Sequence, residues 1–339
     1  MTQTTQDTAA ATDWQKPAPS GARRKAVRLA IPVFVFVTAV GVLWQELRGI
    51  AIADVIRELE DLSPLGLVLA LGMTALSYWT LTGYDSVGLR YIGRPLPYRQ
   101  TGAVSYVAYA VSNNVGLAGM GGAPLRYRYF LGLGISGGDV MRVVAFGYLT
   151  FWLGFLLLAG VLFSLEPLPV PDIVDLPWAD TRPMGLLFIA ALGAYLAWSA
   201  VGTRTMRIGR WSMRAPGGRM SVAQLALGAA DWLLAGAALY ALLPAEADPG
   251  LIQFLVVYLF AQTAGLVSTV PGGLGVFETL TALFLSTEST APALFSALLL
   301  YRLIYYLIPL MIAVVALVMI HIDEHRAHRA DRRSRVLGA

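Results

Sequence analysis

Apolar runs of membrane length, separated by short polar breaks, occupy almost the whole chain. The runs near 27–44, 64–92, 138–163, 184–203, 221–243 and 292–320 each approach or exceed the roughly 20 residues a helix needs to cross a bilayer. They predict six full spans. Two further apolar stretches are interrupted. Residues 101–125 contain Asn113, Asn114, Gly116, Gly119, Gly121, Gly122 and Pro124, and residues 251–287 contain Pro271, Gly272, Gly273 and Gly275 in a run that ends on Glu278. Proline and clustered glycine break the helical hydrogen-bond ladder. Lipid offers no water to the freed groups, so broken backbone at bilayer depth needs protein or a wet cavity around it. Both stretches are therefore expected to be re-entrant or broken helical hairpins, with Gly119, Gly121, Gly122, Pro271, Gly272, Gly273 and Gly275 as their hinges.

Charge assigns the faces. Residues 1–28 hold five Lys/Arg and two acids, whereas 45–63 hold two basic and five acidic residues. The stretches 84–100 and 122–142 carry three basic residues each, and 203–220 carries five arginines with no acid. The 164–183 loop carries Glu166, Asp172, Asp175 and Asp180 against Arg182, and 244–250 has Glu246 and Asp248. The positive-inside rule puts both tails and the three basic loops in the cytoplasm. The first hairpin then enters from the cytoplasm and the second from outside.

Each half thus reads span, span, broken hairpin, span, in opposite orientation. The expected organisation is a basic tail over 1–26, a transmembrane domain over 27–320 with halves 27–163 and 184–320, and a second basic tail over 321–339. An ungapped shift lays Tyr106 on Tyr258, Gly121 on Gly273 and Arg126 on Glu278, with few other matches. Paired, oppositely facing broken segments are the sequence mark of a transporter site near the midplane. Two unrelated packing kinks would look similar.

Composition narrows the class. A mean hydropathy of +0.63 with 14% charged residues describes an all-α polytopic membrane protein, with no stretch able to form a separate soluble core. The first apolar run lacks a small-residue cleavage pattern and is expected to be retained as a span. The absence of cysteine excludes disulfides, thiolate metal sites and cysteine nucleophiles. No GxxxxGK[ST] phosphate loop occurs, so ATP is not expected as the direct energy source. No cofactor, metal or nucleic-acid partner is expected.

Ionisable residues inside spans are expensive and need a partner or a task. Asp85 lies on a polar stripe with Tyr78 and Thr82, near a helix end where a mere terminal charge is an equal reading. Asp231 sits among Gly228, Ala229, Ala230, Ala235 and Gly236, small residues that admit close helix packing; a structural ion pair is the plainer alternative. Arg302 precedes Tyr305 and Tyr306, rings that could simply steady it, or its guanidinium could hold a phosphate. Arg126 and Arg128 follow the glycine-rich turn and could be interface anchors. The Gly134–Gly137 segment matches the GxSG of intramembrane serine proteases, but the only histidines, His321, His325 and His328, lie in the tail, so no catalytic set forms. The arginines of 203–220 read most simply as a topology signal that touches anionic lipid.

The segments Ser112–Phe130, 271–278 and 298–309, with the Tyr84-Asp85 pair ahead of Arg90 and Asp231-Trp232, resemble the transmembrane flippase domain of the bacterial multiple peptide resistance factor, a lysylphosphatidylglycerol synthase/flippase. The resemblance covers roughly 25–320. It implies a polytopic domain of the bacterial cytoplasmic membrane that moves aminoacylated phosphatidylglycerol outward and contributes to cationic peptide resistance. This chain lacks the family's further spans and cytosolic aminoacyl-transferase domain and resembles its stand-alone members, so no synthase activity is expected.

The expected substrate is a membrane phospholipid, with a separate lipid aminoacyl-transferase or a second copy of the chain as open partner questions. Asp85, Asp231 and Glu278 are the candidates to receive a headgroup amine or shuttle protons. Arg302 and Arg126 are the candidates for phosphate; Asn113, Asn114 and Tyr305 complete the expected path. A scaffold that regulates lipid or envelope synthesis, a transporter of another lipid or glycolipid, and an intramembrane lipid enzyme are the competing readings.

Overall fold

The computed structural model describes residues 63–115, 122–169, 178–201, 205–208, 211–244, 249–268, 273, 275–285 and 291–319. The tails, the span expected at 27–44, the hinges Gly119, Gly121, Pro271 and Gly272, and the tail histidines lie outside these residues. Helices dominate: α1 Pro64–Tyr91, α2 Tyr98–Val115, α3 Ala123–Gly132, α4 Gly137–Leu165, α5 Arg182–Ala200, α6 Gly218–Tyr240, α7 Leu251–Val267, α8 Val276–Leu285 and α9 Ala291–Tyr301, which runs on through a π-helical segment, Arg302–Leu307. Among the described residues, five stretches are long and apolar enough to cross a membrane: Pro64–Tyr91, Gly137–Leu165, Arg182–Ala200, Gly218–Tyr240 and Ala293–Met319. They match the five expected spans that fall within the described residues. One departure from an all-helical chain is a small antiparallel ribbon, β1 Thr205–Ile208 and β2 Trp211–Arg214, in the arginine-rich loop. Its alternation of polar and apolar residues carries a period of two, which hydropathy averaging over a longer window hides.

Local signals fix several helix starts. Ser63 caps α1, its hydroxyl accepting from the Gly66 amide at 3.0 Å, and Pro64 occupies the first turn, where a missing N–H costs nothing. Ser136 caps α4, its hydroxyl accepting from the Asp139 amide at 3.2 Å. The serine of the protease-like GxSG segment is therefore a helix cap.

The repeat is legible in the element order. Pro64 and Gly218, Tyr98 and Leu251, Ala123 and Val276, and Gly137 and Ala291 are equivalent starts, at offsets of 154, 153, 153 and 154 residues. Equivalent helices run in opposite directions. Along α1 and α6, Gly66 approaches Ala241, Ser77 bonds Asp231, and Gly83 packs on Leu227; rising numbers on one helix meet falling numbers on the other.

The hairpins follow the same inversion. Helix α3 returns to the end of the molecule where α2 began, since Leu89, Phe130, Ile135, Val140 and Val143 form one small cluster there. Helix α7 runs antiparallel to α6, with Tyr240 on Phe254 and Trp232 near Tyr258. It runs parallel to α9, with Tyr258 bonded to Tyr301 and Gln262 to Tyr306. Helix α8 folds back on α7, where Phe260 meets Phe284 and Gly265 approaches Gly273 and Phe277. The first hairpin thus opens at the C-terminal end of α1, the second at the C-terminal end of α6, and these ends lie on opposite faces. At 1.5 Å per residue the first limbs, of 18 and 17 residues, are about 27 and 26 Å long, whereas the second limbs, of ten residues each, reach about 15 Å. Each hairpin therefore has a long first limb and a shorter helical second limb.

Glycine permits the tight crossings. A Cβ on Gly154 would lie 2.1 Å from the Gly228 carbonyl carbon, and one on Gly228 would lie 2.4 Å from the Thr150 oxygen. Helices α4 and α6 therefore touch backbone to backbone, the close approach that small residues allow in membranes. Gly122 plays the same part in the first hairpin: its Cβ would fall 2.1 Å from the Ala108 oxygen. Its amide instead donates to Ser112 Oγ at 2.7 Å.

Candidate functional site

Described residues from both hairpins line one cavity of about 90 Å³. Ser112, Asn113 and Arg126 line it from the first hairpin, and Gln262, Gly265 and Gly273 from the second; Asp231, Tyr305 and Tyr306 come from the spans. A matched pair of ring contacts brackets the region: Tyr78 meets Tyr106 at 5.4 Å between centroids and Trp232 meets Tyr258 at 6.4 Å. Each joins the second span of a half to the first limb of its hairpin.

Asp231 lies at the cavity wall and is 4% exposed. Its two oxygens accept from Ser77 Oγ at 2.8 Å and from the Tyr84 hydroxyl at 3.1 Å. Ser77 Oγ also lies 2.9 Å from the Tyr305 hydroxyl. Because the single serine proton goes to Asp231, the tyrosine supplies the other, and the chain runs Tyr305 to Ser77 to Asp231. No cation pairs with Asp231 among the described residues, so the ion pair that would make it structural is absent there. Hydroxyl dipoles alone hold a carboxylate at the edge of a buried space. Such a group costs heavily to bury unless it is protonated or binds a cationic ligand.

Arg126 stands in the same cavity. It is buried rather than an interface anchor, with Nε donating to Asp85 Oδ2 at 2.7 Å and exposures of 2% and 0% for the two side chains. Its guanidinium carbon lies 4.1 Å from the Tyr109 ring centroid, a cation–π contact. Two atoms of the pair, Asp85 Oδ1 and Arg126 Nη2, have no hydrogen-bond partner among the described residues. A buried N–H left over after an ion pair forms is a donor available to an anionic group in the cavity. Asp85 is thus a buried counter-ion and not a solvated helix-end charge, and it positions Arg126 rather than facing the cavity itself.

Glu278 and Arg302 pair with each other. Arg302 Nε lies 2.5 Å from Glu278 Oε1, and Glu278 Oε2 accepts from the Gly275 amide at 2.8 Å, capping α8. The Arg302 guanidinium also lies 5.7 Å from the Tyr306 ring. Neither side chain is among those lining the central cavity. Asn114 is buried and donates to the carbonyls of Ala110 and Tyr306 at 2.8 and 3.3 Å, whereas Asn113 reaches the cavity and the Tyr78 hydroxyl at 3.4 Å.

Some of the site was not foreseen. Ser77 and Tyr84 lie seven residues apart on one face of α1 with Leu81 between them, a spacing that shows which polar residues share a stripe. The π-helical segment shifts the register of α9 and frees carbonyls that other helices satisfy. Tyr78 donates to the Tyr305 oxygen at 3.1 Å and Asn114 to that of Tyr306. Such π segments concentrate at functional sites, and no residue pattern in 302–307 announces this one.

Comparison with known proteins places this architecture. A relative from Synechocystis sp., slr0712, is 36% identical over 95% of this chain and 98% of its own length. Inner membrane protein YbhN of Escherichia coli is 29% identical over 86% of this chain and 89% of its own. Phosphatidylglycerol lysyltransferase of Staphylococcus aureus is 24% identical over 85% of this chain, but the match covers 33% of the staphylococcal protein. Residues 29–313 match the family model described as the lysylphosphatidylglycerol synthase TM region. The chain therefore belongs to that family of multi-pass, helical membrane proteins.

Proposed function

We propose that this protein translocates a phospholipid with a cationic headgroup, aminoacylated phosphatidylglycerol such as lysyl-phosphatidylglycerol, from the inner to the outer leaflet of the bacterial inner membrane. The observation that carries this reading is one cavity between two opposed hairpins, presenting a buried carboxylate with no cationic partner among the described residues and a guanidinium with an N–H unfilled among them. An aminoacylated phosphatidylglycerol offers the complement: an amine for Asp231 and a phosphate for Arg126. Hairpins that open on opposite faces supply a polar route for the headgroup while the acyl chains remain in lipid. The staphylococcal relative's name supports lipid of this class as the substrate. Outward movement of such a lipid would contribute to resistance against cationic peptides.

The test is reconstitution of the purified chain in liposomes containing labelled lysyl-, alanyl- or unmodified phosphatidylglycerol. Leaflet exchange of an aminoacylated lipid above that of empty liposomes is expected, with lower exchange of the unmodified lipid. Absence of exchange for every lipid would favour the scaffold reading and defeat this one.

A further inference from the structure

A second recess lies away from the central cavity, and the two share no lining residue. It measures about 300 Å³, the lower end of the ligand-pocket range of about 300–1,000 Å³. Tyr91 at the end of α1, Phe146 and Leu149 of α4, Tyr195 and Trp198 near the end of α5, and Arg214 of β2 form its wall. The rings are held in place: Tyr91 stacks on Phe146 at 4.7 Å and Tyr195 lies 5.9 Å from Trp198. The Tyr91 hydroxyl donates to the Arg214 carbonyl at 2.8 Å and ties the ribbon across the recess. The Tyr195 hydroxyl is taken up by Gln224 Oε1 at 2.5 Å.

The ribbon is a suitable cover for a lipid. Its register pairs Thr205 with Arg214, Met206 with Met213, Arg207 with Ser212 and Ile208 with Trp211. Its sequence alternates with a period of two, apolar at 206, 208, 211 and 213 and polar at 205, 207, 212 and 214. Arg214 is exposed, and no carboxylate pairs with it among the described residues. The surrounding 203–220 segment has five arginines and no acid. Helix ends, aromatic rings and arginines together mark the level of the lipid headgroups.

We propose that this recess binds one anionic phospholipid at the membrane surface, an acyl chain lying among the Tyr91, Phe146 and Trp198 rings and the phosphate meeting Arg214. An apolar wall takes hydrocarbon, an arginine donates bidentately to phosphate, and a ribbon segment with arginines and no acid repels cationic headgroups and neighbouring basic surfaces. Ordinary interfacial anchoring by Tyr and Trp would show no headgroup preference. The site requires only that the ribbon lie at the bilayer surface, and it holds whether or not the central cavity transports lipid.

The experiment uses the full chain in phosphatidylcholine nanodiscs carrying a trace of phosphatidylglycerol or phosphatidylcholine with a photoactivatable acyl chain. Crosslinks are mapped by peptide mass spectrometry. The phosphatidylglycerol probe is expected to label peptides containing Tyr91, Phe146 or Trp198 about fivefold more than the zwitterionic phosphatidylcholine probe, the ratio for one arginine acting on one net negative headgroup charge at a membrane surface. Arg214→Gln, with an unchanged melting temperature, is expected to remove that preference. Asp231→Asn is expected to leave recess labelling intact, which separates this site from transport. Equal labelling by both probes, an unchanged preference in Arg214→Gln, or loss of recess labelling in Asp231→Asn would each overturn the proposal. Displacement of the probe by inorganic phosphate would do so too, as would recess peptides unlabelled by either probe, which would assign the groove to a protein partner.

Discussion

The Ser77 hydroxyl, on the second span of one half, donates to the carboxylate of Asp231 on the equivalent span of the other, at 2.8 Å. With the Tyr84 hydroxyl at 3.1 Å, two hydroxyls of one span meet the acidic side chain directly, and Tyr305 stands behind Ser77. They solvate the carboxylate without neutralising it. Helix packing alone would not require an acid here, because an apolar residue of similar size would fill the same space without desolvating a charge.

Asp231→Asn tests that point. The amide can still accept from Ser77 and is nearly isosteric, so folding is expected to survive, with a melting temperature close to the parent. Leaflet exchange of aminoacylated lipid is expected to fall about tenfold or more, the loss of at least ~1.4 kcal/mol of selective stabilisation. Equal exchange rates in wild type and Asp231→Asn, measured in the same liposomes, would remove Asp231 from the path.

Asp85 and Arg126 make a different prediction because they are structural partners as well as candidate path residues. Removing one partner of a buried pair strands the other charge and costs about 3–5 kcal/mol, whereas replacing both by apolar groups is often neutral. Asp85→Asn is therefore expected to lower the thermal stability strongly, and Asp85→Leu with Arg126→Met to restore it. Transport is expected to stay lost in the double variant, since the guanidinium that faces the cavity is gone. Recovery of both stability and exchange would show the pair to be scaffold only.

The sequence already contained the frame of this molecule: apolar run lengths, the position of the broken segments and the alternating loop charges lead to inverted halves with opposed hairpins. It also named Asp85, Arg126, Asp231, Glu278 and Arg302, since charges in apolar helices stand out against their surroundings. Which charge meets which was hidden, because pairing depends on helix rotation and crossing. Arg126 and Glu278 align in the two halves, yet one pairs with the preceding span and the other with the following one. Ser77, Tyr84 and the π-helical segment were hidden for a related reason: hydroxyls are cheap to place in a span and carry no hydropathy signal.

The glycine crossing of α4 and α6 should be the least tolerant point of the scaffold. Gly154→Val is expected to abolish accumulation of folded protein, since even its Cβ would lie 2.1 Å from the backbone of Gly228. Gly72→Ala is the control, on a helix where an added methyl meets nothing within 4 Å; removing glycine from a helix interior favours folding by about 0.5–1 kcal/mol. Fluorescence-detected size exclusion should separate the two variants. A folded, monodisperse Gly154→Val protein would contradict the backbone contact.

The opposed hairpins can be tested in living cells because the chain has no cysteine of its own. Leu133 lies beside the mouth of the first hairpin and Leu251 at the start of the second, and both are exposed. With the basic loops in the cytoplasm, Leu251→Cys is expected to react with a membrane-impermeant maleimide applied once the outer membrane, where one exists, has been permeabilised. Leu133→Cys is expected to react only after the cytoplasmic membrane is opened. The reverse pattern would keep the inverted repeat but turn the molecule over and put its basic loops outside. Reaction of both from the same side would contradict the inversion itself, because α2 and α7 would then enter from one face.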